Sequence, residues 1–153
     1  MITKLLSANE INAYGYTHAF KVTYADTTTA NAVHAQTLIT LQQGQFVEKA
    51  GYQLVTDFAS TTDAGITSVT LSVGNSSSAT VYAAAKELMG TEIDFWYEIT
   101  VTPETGGADQ DAETEAILAT FTATGGATPL MSEMTSGEVH IYLRIVGPPS
   151  IIL

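Results

Sequence analysis

Three histidines, His18, His34 and His140, are the residues best suited to chemistry in a chain that contains no cysteine. Imidazole nitrogens ligate transition metals and move protons near neutral pH. A metal centre on a β-scaffold would use a His-X-His pair, a carboxylate and a further His. Here no two histidines are close in sequence, and each falls in a different strand pattern. They read as structural or interface residues, so no transition-metal site is expected. Asp109, Asp111 and Glu113 have the one-three-five spacing of a calcium loop. The EF-hand also requires Gly at position six and Glu at position twelve, where this chain has Thr114 and Thr120. A solvated acidic loop is the better reading.

Nucleophilic chemistry has equally little to work with. There is no thiol, and no serine lies in a Gly-X-Ser-X-Gly elbow. Gly106-Gly107 and Gly125-Gly126 lack the following Gly-Lys-Ser/Thr of a phosphate-binding loop. Nothing in the spacing singles out a pair of carboxylates. The expectation is a protein without catalytic residues, cofactor or metal.

The elements around these residues are strands. From Ile93 to Val101 the residues Ile93, Phe95, Tyr97, Ile99 and Val101 alternate with Asp94, Trp96, Glu98 and Thr100. Side chains of a strand alternate between faces with period two, so one face is apolar and the other polar. The same alternation runs through 13–25, 66–73, 115–124 and 138–146, and further strands are read over 34–42 and 52–58. Ala50-Gly51 suggests a bulge or break, and Gln43-Gly44, 60–65 and Gly125-Gly126 are turns. Residues 79–89, rich in Ala and Leu and closed by Gly90, carry the helix expectation. Seven or eight strands without crossover helices exclude a parallel α/β fold. They predict an all-β, two-sheet antiparallel sandwich, jelly-roll-like, with one short helix; an immunoglobulin-like sandwich is next. Ile93, Phe95, Tyr97, Ile99, Phe121, Ile141 and Leu143 are its expected core. Residues 1–153 read as one domain, with 1–12 an N-terminal arm and 147–153 an extended tail after Pro148-Pro149.

Charge narrows the partners. Sixteen Asp and Glu against five Lys and Arg leave a formal net charge of −11. Binding to phosphates needs basic residues that release counterions, so direct nucleic-acid binding is not expected. Adsorption to an anionic membrane is not expected either. The N-terminal residues lack the apolar run of a signal peptide, and no stretch has the roughly 20 apolar residues of a membrane-spanning helix. Synthesis in the cytoplasm is the corresponding expectation.

Several apolar side chains lack a place in this pattern. Trp96 and Tyr142 fall on the polar sides of their strands. Ile151, Ile152 and Leu153 end the chain as an apolar triplet, and Ile2, Leu5 and Leu6 do the same near its start. Burying one such side chain is worth roughly 1.5–3 kcal/mol. These eight residues are the candidates for an interface with a neighbouring subunit or partner.

Four segments taken together resemble small structural proteins of tailed-phage virions, capsid decoration or cement proteins. They are Phe46-Val47-Glu48-Lys49-Ala50-Gly51-Tyr52-Gln53-Leu54-Val55-Thr56-Asp57-Phe58, Ser68-Val69-Thr70-Leu71-Ser72-Val73-Gly74-Asn75, Ala119-Thr120-Phe121-Thr122-Ala123-Thr124-Gly125-Gly126 and Ser136-Gly137-Glu138-Val139-His140-Ile141-Tyr142-Leu143-Arg144-Ile145-Val146. The likeness spans about residues 46–146. It implies a non-enzymatic homotrimer on the outer capsid surface of the virion, with the major capsid protein as its partner. The alternative is a carbohydrate- or host-binding β-sandwich of a phage fibre or appendage, in which Trp96 and the tyrosines are stacking platforms. A jelly-roll enzyme using His18, His34 or His140 is the third class.

Overall fold

The computed structural model describes residues 1–61, 65–90, 95–100 and 114–147; over 95–100 it describes the backbone and the Glu98 side chain. The elements are β1 (Ile2–Leu5), α1 (Ala8–Tyr14), β2 (His18–Thr23), β3 (Val33–Gln42), β4 (Phe46–Ser60), β5 (Ser68–Gly74), β6 (Ala83–Glu87), β7 (Phe95–Thr100), β8 (Thr114–Thr124) and β9 (Met134–Val146). They form a five-stranded sheet in the order β1-β2-β9-β4-β7 and a four-stranded sheet in the order β3-β8-β5-β6. Every pairing is antiparallel. The pairs nest: β2 with β9, β3 with β8, β4 with β7, β5 with β6. A hairpin folded upon itself in this way is the jelly roll, with β1 added at one edge.

The two inner faces build one core from alternate residues. Phe20, Ile141 and Tyr52 are directly paired across β2, β9 and β4. On the other sheet Leu71 pairs with Phe121. All five are essentially buried, together with Val22, Leu54, Val69, Val73, Ile117, Val139 and Leu143. The Phe58 and Phe121 rings stack between the sheets with centroids 5.9 Å apart. Phe121, Ile141 and Leu143 therefore occupy the core the alternation predicts. Ile93 and the side chains of Phe95, Tyr97 and Ile99 lie outside the described residues.

The predicted helix is in the wrong place. Residues 83–87 are β6, paired with β5 through Thr70–Glu87, Leu71–Lys86 and Val73–Ala83. The flanking Tyr82 and Leu88 amides donate to Val73 O at 3.0 Å and Val69 O at 2.7 Å. Alanine-rich composition is a weak local preference, and an unpaired edge of β5 outweighs it. Ahead of β6, Asn75 folds a turn: its Oδ1 accepts from the amides of Ser77 at 3.0 Å and Ser78 at 2.8 Å.

The helix that does form, α1, begins within the expected N-terminal arm and runs two residues beyond it. Ser7 and Glu10 make a capping box, and Gly15 ends the helix at φ 75°. The expected strand over 13–25 is shortened to β2 because Tyr14 belongs to α1 and Gly15 caps it. Residues 1–12 are not a free arm, since β1 pairs with β2 from Ile2–Lys21 to Leu5–His18. Ala50-Gly51 does not break β4. Its register against β9 shifts between Val47 and Lys49 and again at three points between Leu54 and Ser60.

Two substitutions test this packing. Phe121→Ala is expected to cost about 3–5 kcal/mol, because it removes a fully buried ring and leaves a cavity. Gly137 has φ 142°, and a Cβ there would sit 2.5 Å from Phe58 Cγ. Gly137→Ala should therefore destabilise by about 1–3 kcal/mol. Urea unfolding checks both; unchanged midpoints would refute the described packing.

Candidate functional site

The outer faces of the two sheets differ sharply in charge. Lys4, Lys21, Lys49 and Arg144, four of the five basic residues of the chain, lie on the outer face of the five-stranded sheet. The ladder sets this: one outer row runs Ile2, Lys21, His140 and Gln53, and the next runs Lys4, Ala19, Tyr142, Gly51 and Glu98. Each cation meets a carboxylate. Lys21 Nζ is 2.6 Å from Glu138, Lys49 Nζ is 2.9 Å from Glu98, Lys4 pairs with Glu10 and Arg144 with Glu48. The Lys4 bond, aided by the Ser7 cap, holds the Glu10 carboxyl down at about 2. Lys49 and then Tyr16 lower Glu98, and Lys21 lowers Glu138.

On this face lies a groove of about 710 Å³, walled by β1 and α1 and floored by β2, β4 and β9. Tyr16 is buried along it, its hydroxyl donating to Glu98 Oε2 at 2.9 Å, with Lys49 Nζ 4.6 Å from the ring centroid. Burial, then the Glu98 carboxylate, push the Tyr16 hydroxyl well above its ordinary value. The Tyr142 ring is 5.7 Å from Tyr16 and 6.5 Å from the His140 ring. Tyr14, at the end of α1, is 67% exposed. The arrangement is an aromatic floor with polar groups at its rim.

Of the eight expected interface residues, Tyr142 lines this groove half-buried. Ile2 and Leu5 are exposed, at 64% and 70%. Leu6 is buried in its own domain at the groove, its amide donating to Thr17 O at 2.9 Å. The backbone of Trp96 pairs with Gln53, but its side chain lies outside the described residues, as do Ile151, Ile152 and Leu153. Asp109, Asp111 and Glu113 also lie outside them.

The histidines are dispersed. His18 stacks on Phe20 in the first sheet, His34 pairs opposite Phe121 in the second, and His140 faces outward, bonded to Glu138 at 2.8 Å. Among the described residues no group of three His, Asp or Glu is placed to hold a metal ion. Sequence reasoning missed Tyr14, Tyr16 and Gln53 as groove residues. The available signal was the Ser7-x-x-Glu10 capping box, which places α1 over the sheet.

No protein-family model, curated protein or solved structure matches the chain.

Burial lowers the His18 pKa below its ordinary 6.5. The unfolded chain then binds this proton more readily than the folded one, so stability is lost as pH falls below about 6.5. The depressed Glu10, Glu98 and Glu138 lose their smaller, solvent-screened contributions only below about 4.5. Thermal melts should therefore show a decline between about pH 7.5 and 5.5 that His18→Gln removes. An identical decline in the variant would show that His18 does not cause it.

Proposed function

We propose that the protein is a non-enzymatic virion structural protein, a decoration protein that binds the outside of a tailed-phage head and bridges neighbouring major capsid subunits. The observation that carries this reading is the near-absence of charge on three adjacent strands of the second sheet, with Glu87 of the edge strand β6 the charged residue at the end of one outer row. In a chain with a net charge of −11, the adjacent strands β3, β8 and β5 contain a single charged residue, Glu115. Their outer rows read Ala35, Thr120 and the buried Ser72, and Val33, Thr122 and Thr70, the last facing Glu87 of β6. Short polar and β-branched side chains make a flat surface with little desolvation cost on contact.

The edge of this sheet adds a second argument. Strand β3 has ten residues, no Lys, Arg, Asp, Glu or Pro, and a half-exposed Val33 at its start. Among the described residues nothing pairs with its outer side. Long edges are normally protected by charge, proline or short length, because an open ladder recruits further strands. An uncharged edge is consistent with pairing to a second copy or to a capsid subunit. Self-association as a homotrimer on the outer capsid surface is the assembly this reading implies, with acidic surface elsewhere keeping free copies apart.

Sedimentation with virus-sized particles from the source lysate tests the proposal. The chain is expected to travel with the particles, and Ala35→Lys with Thr37→Lys to weaken that binding about tenfold or more. Both positions are exposed, so the isolated fold should remain intact. Full-length protein left in the supernatant, or a variant that binds particles as tightly, would overturn the reading.

A further inference from the structure

We propose that the groove on the five-stranded sheet binds a neutral saccharide. This goes beyond attachment to a shell, and it concerns the outer face of the other sheet. Three observations converge on it. The groove volume of about 710 Å³ lies within the usual range for small-ligand sites. Two of its aromatic groups are placed for stacking: the half-buried Tyr142 on the floor, backed by the buried Tyr16, and the exposed Tyr14 at the wall. A pyranose ring presents a face of C–H groups that packs on an aromatic ring, while its hydroxyls bond at the edges. Tyrosine combines an apolar body with a polar tip and fits both needs.

Charge decides between ligand classes. The groove's lysines are already met by carboxylates, Lys4 by Glu10 and Lys21 by Glu138. An anionic ligand would have to displace these partners in a chain of net charge −11. A cationic ligand would compete with the same lysines for the carboxylates. A neutral polyol needs neither exchange. Its hydroxyls both donate and accept, matching the Gln53 amide, the His140 ring and the Glu10 carboxylate that line the groove.

Nuclear magnetic resonance titration of the full chain provides the test. The probes are maltohexaose, cellohexaose and mannohexaose, with hexagalacturonate and a heparin hexasaccharide as anionic counterparts. At least one neutral probe should give saturable shifts at the amides of 2–6, 14–21, 51–53 and 140–142. Tyr14→Ala and Gln53→Ala should each weaken this binding about tenfold while the rest of the spectrum keeps the native pattern. The inference is overturned if no neutral probe shifts these amides, or if the shifts fall elsewhere. Tighter binding of an anionic probe, or unchanged affinity in both variants, also overturns it. Particle sedimentation is read separately, so failure of one proposal leaves the other standing.

Discussion

Strand β9 pairs with β2 along one side and with β4 along the other, and this double pairing is the constraint on which the rest of the structure depends. It sets Phe20, Ile141 and Tyr52 in one row facing the second sheet. By the alternation of side chains it also sets Lys21, His140 and Gln53 in the row facing solvent. Core and groove are thus two sides of the same register. A slip of one residue would exchange them, placing lysine and glutamine inside and phenylalanine outside. With no cysteine to cross-link the chain, burial of the inner rows and the ladder bonds must hold that register.

The groove exists because the N-terminal segment does not leave the domain. Strand β1 extends the sheet beside β2, and the Leu6 amide bonds to Thr17 O. The Ser7–Glu10 capping box then turns the chain into α1. Gly15 reverses it at φ 75°, a conformation that costs glycine nothing and a residue with a Cβ something. That reversal directs Tyr16 inward, where Glu98 accepts its hydroxyl proton bond. Arg144 reaches back to Gly15 O at 3.2 Å and ties the turn to β9. Glu10 thus caps the helix and pairs with Lys4 at the groove wall.

The contrast between the outer faces gives the molecule a direction. One face concentrates nearly all of its basic residues, each paired with an acid, around tyrosines and a cavity. The other presents mainly threonine and alanine from β3 and β8, bordered by the open strand β3 at one edge and by Glu87 of β6 at the other.

The alternation of apolar and polar residues determined the sandwich without any knowledge of tertiary contacts. Ile117, Ala119, Phe121 and Ala123 point inward because period two leaves them no other common face, and the structure buries all four. Residues 79–89 show where such reasoning stops. Their composition favours helix locally, but an edge of β5 with unmet backbone bonds made β6 the lower-energy state. The groove was hidden for a related reason. Tyr14 and Tyr16, Gln53, and Tyr142 come from three distant segments and become neighbours only when α1 folds back and β9 zips between β2 and β4. Local side-chain periodicity is written in the chain itself. Which strands share a sheet, and so which outward residues meet, follows from long-range pairing that no single segment contains.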